Sequence, residues 1–167
     1  ESLPLVILEA YASESAAKLA ERIQAEDARI IGFSLYSWNR SLAVSTAASV
    51  RSALPASFLF CGGPEATSND TALLKQDGGP FDVVIKGEGE SASVSLFSSV
   101  FENSEEQFPL AQGCIHSTVE KSDTLISPWL DATLDLKRYK TVLWELARGC
   151  PYACTYCYES KGLRKLR

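Results

Sequence analysis

The chain has 167 residues, 46% of them hydrophobic and 22% charged, enough for one buried core at a size where about 70% of the unfolded surface leaves water. A net charge of −5 and a sequence pI of about 5.0 give no charge basis for holding nucleic acid or an anionic membrane surface, and the basic end Arg164, Lys165 and Arg167 reads as a solvated tail. No apolar run approaches the roughly 18 residues of a membrane span, and the N-terminus lacks the basic start and apolar stretch of a secretory signal, so a cytoplasmic protein is expected.

Leu5-Val-Ile-Leu8 is a short apolar run that reads as a strand. Ser13 and Glu14 open a helix, with Ala16, Leu19, Ala20 and Ile23 on one face and Lys18, Glu21 and Arg22 outside it. Ile30 to Phe33 is the next buried strand, and Ser34 to Arg40 a polar and aromatic loop. Ala43, Ala47, Val50 and Leu54 line a second helix closed by Pro55. Phe58 to Phe60 is a strand running into Gly62-Gly-Pro64, and Asp70 to Gln76 a short helix stopped by Gly78-Gly79. Asp82 to Ile85 is a further strand, followed by Gly87-Glu-Gly-Glu90 and a helix whose apolar side is Val94, Phe97 and Phe101. Gly113 to Val119 adds a strand, Ile126 to Lys140 is an ordered linker, and Thr141 to Leu146 a last strand leading into three cysteines. Strands alternating with helices, written as apolar runs without polar alternation, predict a parallel sheet covered on both faces.

There is no Met, even at position 1, so the chain is expected to be part of a longer protein. Of five cysteines, Cys150, Cys154 and Cys157 fall within eight residues, while Cys61 and Cys114 stand alone and read as small buried hydrophobes. Disulfide scaffolds spread their cysteines through small secreted domains, whereas crowded thiols in an α/β sequence point to a metal.

In an open parallel sheet, ligands bind beyond the C-terminal strand ends. Three such ends carry unusual chemistry: Ser34-Leu-Tyr-Ser-Trp-Asn39, Gly62-Gly-Pro-Glu65 and Gly87-Glu-Gly-Glu90. Glycines let a ligand approach the backbone, and aromatics can cover a large flat ring. Each feature alone is equally a turn, a core cap or a solvated carboxylate. The carboxylates argue against a phosphate cradle.

Together, Ile31-Gly-Phe-Ser-Leu-Tyr-Ser-Trp-Asn39, Gly62-Gly-Pro-Glu65 and Gly87-Glu-Gly-Glu90 resemble the N-terminal domain of the cobalamin-binding radical S-adenosylmethionine family, from about Val6 to Tyr158. The resemblance implies that Ser34, Tyr36, Ser37, Trp38, Asn39, Gly62, Gly63, Pro64, Glu65, Gly87, Glu88 and Gly89 surround the corrin ring. The chain has no Asp-x-His-x-x-Gly loop to ligate cobalt, and its single histidine, His116, sits in another context. By the same resemblance, Leu5 to Ala10 and Ile30 to Phe33 are the second and third strands of the family's sheet, and the first strand and helix are absent.

Arg148-Gly-Cys-Pro-Tyr-Ala-Cys-Thr-Tyr-Cys157 has the spacing Cys-x3-Cys-x2-Cys. Three thiolates on one loop suit three irons of a cubane cluster and leave the fourth iron open. This resembles the radical S-adenosylmethionine family, which implies a 4Fe-4S cluster on Cys150, Cys154 and Cys157, S-adenosyl-L-methionine on the open iron with Tyr156 beside it, and cleavage to a 5′-deoxyadenosyl radical. A structural zinc site would need a fourth ligand, Cys114 or His116, more than thirty residues upstream. A redox pair at Cys154 and Cys157 would leave Cys150 without a role.

The expected fold is a three-layer, flavodoxin-like α/β domain over residues 1–103, then a strand and linker over 104–140 and the first strand of a partial barrel over 141–167. The resemblance implies a cobalamin-dependent radical enzyme that methylates or rearranges an unreactive carbon of a small-molecule substrate. Flavodoxin or ferredoxin would supply its electrons, and this chain would be inert on its own. The alternatives are a docking module without cobalamin, a structural zinc site and a flavin-binding domain.

Overall fold

The computed structural model describes residues 4–11, 13–68, 72–102, 113–117, 125–131, 133–142 and 145–157. The chain divides into two compact units, residues 1–118 and 119–167.

In the first unit, helix α1 spans Ala16–Ala25 and buries Leu19, Ala20 and Ile23, the face its spacing predicts. Its cap is Ser15, whose hydroxyl accepts from the Lys18 N–H at 3.3 Å, so the helix begins slightly later than Ser13 suggests. Arg22 pairs with Glu14 at 2.9 Å and fixes that entry. Strand β1 is Ile30–Ser34 and helix α2 Arg40–Ala53. The helix stops there because Pro55 disfavours a helical Leu54. Strand β2, Phe58–Gly62, runs into the short helix α3, Pro64–Ser68. Proline opens a helix without loss because the first-turn N–H has no partner inside the helix. A 3₁₀ turn at Lys75–Asp77 closes on Gly78 at φ 86°, a left-handed cap that glycine alone adopts without strain. Strand β3 is Val83–Lys86, helix α4 Glu90–Glu102 and strand β4 Gly113–His116.

The four strands form one parallel sheet in the order β1-β2-β3-β4. Parallel neighbours need crossover connections, and α2, the α3 segment and α4 supply them. Side chains alternate between faces. Ile31, Leu59, Cys61 and Val84 meet Leu19, Ile23, Ala47 and Val50 of α1 and α2 on one face. Phe58, Val83 and Ile85 meet Ala92 and Leu96 of α4 on the other. The result is the three-layer α/β architecture with a flavodoxin-like parallel sheet that the sequence predicts. At the N-terminal edge of the sheet, the Asp82 carboxylate receives the Arg51 guanidinium and the Leu59 N–H, the latter at 2.8 Å. Arg51 also donates to the Ser57 carbonyl at 2.8 Å and the Pro80 carbonyl at 3.2 Å, stapling the end of α2 beneath β2 and β3.

Several expectations need correcting. Residues 5–8 belong to no strand, with Leu5 71% exposed and, of the four, only Leu8 packed against the core. A strand is defined by a neighbour for its N–H and C=O groups, and this segment has none among the described residues. Val94 is exposed, and α4 buries Ala92 and Leu96, with Phe97 edge-on to Phe60 at 5.7 Å. Phe101's side chain lies outside the described residues. Of the helix expected over 70–76, Asp70 and Thr71 lie outside the described residues, 72–74 are not helical, and the 3₁₀ turn begins at Lys75. The strand expected over 113–119 is present at Gly113–His116, paired with β3, but Cys114 on it is exposed rather than buried. Residues 118 and 119, the end of that expected strand, lie outside the described residues.

In the second unit, Trp129 and Tyr139 meet edge to face at 5.3 Å around a 3₁₀ turn at Leu136–Arg138. The Asp135 carboxylate caps that turn by accepting from the Lys137 N–H at 3.0 Å. Residues 141–142 and 145–146 form no strand, and 143–144 lie outside the described residues. Among the described residues no helix is long and apolar enough to cross a membrane.

Candidate functional site

Because every pairing is parallel, the loops after β1, β2 and β3 emerge at the same edge of the sheet. The loop after β1 is clasped by Asn39. Its side-chain oxygen accepts from the Tyr36 N–H at 2.8 Å, and its amide nitrogen donates to the Ser34 carbonyl at 2.9 Å. The clasp turns the chain into α2 and presents a stacked pair, Tyr36 on Trp38, with centroids 4.5 Å apart and planes 15° from parallel. Trp38 is 79% exposed even with Tyr36 against it, an uncommon position for an indole. Ser34 and Ser37 are exposed beside it.

The loop after β2 is tied to the first. The Leu35 N–H donates to the Gly62 carbonyl at 2.8 Å, and the Glu65 N–H to the Leu35 carbonyl at 3.2 Å. Gly63 sits at φ 104°, and a Cβ there would lie 2.6 Å from the Leu35 carbonyl oxygen. Only glycine therefore permits this close crossing. Arg40 Nε, buried, approaches Glu65 Oε1 to 3.3 Å as an ion pair without the alignment of a hydrogen bond. The second and third loops are joined by Thr67, whose hydroxyl accepts from the Gly87 N–H at 3.1 Å. Gly87 is also left-handed, at φ 86°. A Cβ on Gly87 would meet its first neighbour at 3.7 Å, and one on Gly89 at 3.9 Å, so the backbone here is open to approach.

The structure therefore gathers Ser34, Tyr36, Ser37, Trp38, Asn39, Gly62, Gly63, Pro64, Glu65, Gly87, Glu88 and Gly89 along one edge. Asn39 holds its own loop, and Glu65 is paired with Arg40. Leu35, Arg40 and Thr67 were missed by the sequence reasoning. Leu35 sits in a loop read for its aromatics, Thr67 lies in α3 just beyond the glycine motif, and Arg40 looks like the end of a loop although it begins a helix. The described strand order runs straight, without the reversal that opens a crevice between loops pointing opposite ways. The edge is consequently a ledge of open glycine backbone with one exposed aromatic stack.

Cys150, Cys154 and Cys157 are half-buried and in no disulfide. The Cys157 N–H donates to the Cys154 carbonyl at 3.2 Å, and Gly149 turns the chain before Cys150 at φ 84°. Arg148 pairs with Glu145 at 2.8 Å. Tyr156 is exposed. Among the described residues no three His, Cys, Asp or Glu side chains are gathered to hold a metal ion.

A parallel α/β sheet with glycine-rich, aromatic-bearing loops at its C-terminal edge defines a ligand-binding domain of the open-sheet class. Residues 4–97, more than half of the chain, match the B12 binding domain, and the chain belongs to that family. It is also similar to hopanoid C-3 methylase of Methylococcus capsulatus, at 29% identity over 77% of this chain. The chain spans about a quarter of that relative's length, 27%.

The ledge fits a corrinoid in kind: open backbone at Gly87 and Gly89 admits a bulky ring, and the exposed indole offers an apolar plane beside it. For an iron–sulfur cluster the donors are of the right chemistry, three thiols at Cys-x3-Cys-x2-Cys, although they are not drawn together here.

Proposed function

We propose that this chain is the cobalamin-binding portion and adjoining cluster loop of a radical S-adenosylmethionine enzyme that transfers a methyl group to, or rearranges, an unreactive carbon. One observation carries this: a B12 binding domain over residues 4–97 and a Cys-x3-Cys-x2-Cys run from Cys150 to Cys157 stand in the same chain. The similarity to a methylase favours methyl transfer over rearrangement. Cobalamin, when bound, supplies a methyl carrier, while the residues described here hold it in place. Trp38 and Tyr36 offer a ring face, the glycine loops offer backbone amides, and the Arg40–Glu65 pair keeps the first two loops in register. Cys150, Cys154 and Cys157 would ligate three irons and leave the fourth for S-adenosyl-L-methionine near Tyr156. A flavodoxin or ferredoxin would deliver the electron. The substrate is a small molecule whose pocket lies outside the loops described.

The test is iron content and the low-temperature electron paramagnetic resonance spectrum of the reduced complete protein, reconstituted without oxygen. About four irons per chain are expected, lost on replacing any of the three cysteines by Ala. Stoichiometric zinc without iron would refute the cluster.

A second reading is a docking module of a radical enzyme that binds no cobalamin, favoured by the lack of an Asp-x-His-x-x-Gly loop to ligate cobalt in the sequence. Corrinoid absorbance of the complete protein separates the two.

A further inference from the structure

We propose that Thr67 is a positioning residue that sets the spacing of the two glycine loops against the bound ring, an inference that rests on the cobalamin reading above. Thr67 lies in the short helix α3 and is not itself a predicted ligand contact, but it bonds two residues that are, Gly63 and Gly87. Its hydroxyl donates to the Gly63 carbonyl at 3.0 Å and accepts from the Gly87 N–H at 3.1 Å. A hydroxyl has one donor and two lone pairs, so both bonds form at once. The first bond is the ordinary back-bond of a helical threonine to the carbonyl four residues earlier. The second is not local: it crosses twenty residues from α3 to the loop after β3. Both glycines sit in the left-handed region, at φ 104° and 86°, so the hydroxyl joins the two points where the loops turn. The bond to Gly63 is part-buried and that to Gly87 exposed, so the hydroxyl is anchored on the α3 side and reaches out to the third loop. Without the bridge, the Gly87 amide turns to solvent and the hydroxyl tie from α3 to the third loop is lost. The Gly62–Gly63 and Gly87–Gly89 loops would then lose the fixed separation that a rigid flat ligand requires.

Hydroxocobalamin titration of the complete protein, followed by absorbance, tests this with Thr67→Val, which keeps the shape and deletes the hydroxyl. Thr67→Ala deletes it without the helix penalty of a β-branched residue. Both are expected to weaken binding about tenfold, the scale of one lost hydrogen bond in a preformed site. Thr67→Ser is expected to restore the affinity. Hydrogen exchange at the Gly87 amide of the ligand-free protein should quicken in the Val and Ala variants and recover in the Ser variant, with the urea midpoint reporting that each is folded. Equal affinity for the unsubstituted protein and both deletion variants would overturn the role of Thr67 and leave cobalamin binding intact. Failure of Thr67→Ser to restore binding would overturn it as well. No binding by the unsubstituted protein would remove the cobalamin reading and this role together.

Discussion

At Asp82, one carboxylate serves two partners at the floor of the sheet, the Arg51 guanidinium and the buried Leu59 N–H. Removing it strands both, and breaking a largely buried pair from one side costs about 3 kcal/mol. Asp82→Ala is therefore expected to lower the unfolding free energy by about that much in a urea titration. Gly63 carries a different constraint. Its φ of 104° and the Leu35 carbonyl 2.6 Å from a hypothetical Cβ mean that Gly63→Ala stores strain and forces the first two loops apart. A loss of about 2 kcal/mol is expected by the same measurement. Cys61 is fully buried, and burial, with a smaller contribution from Cys114, pushes its thiol from 9.0 up to about 12. The folded state keeps the Cys61 proton at pH values where the unfolded chain releases it. Its contribution is thus fully present below pH 9 and is lost as pH rises toward 12. Stability should fall more steeply above pH 9 in the unsubstituted protein than in Cys61→Ala, by at most about 1.4 kcal/mol per pH unit. A thiol reagent at pH 8 should modify exposed Cys114 at once and Cys61 only on unfolding.

Among the elements, β2 and β3 are flanked on both sides, whereas residues 5–8 pair with nothing among the described residues. Hydrogen exchange should accordingly find the amides of β2 and β3 protected to the global limit and those of Val6 and Ile7 exchanging as in an open chain. Protection of Val6 and Ile7 comparable to β2 would mean that this segment has a strand partner. The same contrast explains what the sequence made legible. Ile30–Ser34, Phe58–Gly62 and Val83–Lys86 are short apolar runs between turn residues, and each becomes a strand because a parallel neighbour lies beside it, with β2 and β3 buried on both faces and β1 burying Ile31. Leu5 to Leu8 has the same composition, but composition cannot supply a neighbour. In α4, Val94 and Leu96 are equally apolar, and only the position of the sheet decides that Leu96 is buried and Val94 is not. At the candidate site, the glycines and the Tyr36–Trp38 stack stand out locally, since positive φ and aromatic chemistry belong to single residues. The ties between loops were not legible. Leu35 with Gly62, Arg40 with Glu65 and Thr67 with Gly87 are partnerships across 20 to 30 residues that exist only once the sheet brings the loops together.

On the scale of the whole molecule, a B12 binding domain built on a straight four-stranded parallel sheet presents three mutually tied loops at one edge, and the same chain carries three cysteines at the spacing of a cluster loop. The sheet is stapled at its floor by Arg51 and Asp82 and laced at its opposite edge by Leu35, Arg40 and Thr67. Rigid loops on a rigid sheet favour tight binding, because less ordering remains to be done when the ligand arrives. The most direct measurement is titration of the complete protein with hydroxocobalamin under anaerobic conditions, followed by visible absorbance and by the corrinoid retained after gel filtration. A saturable spectral change ending at equimolar cobalamin, with the corrinoid co-eluting and weakened binding in Trp38→Ala, is the expected result. An unchanged spectrum at saturating cobalamin, with no corrinoid retained by the folded protein, would contradict it.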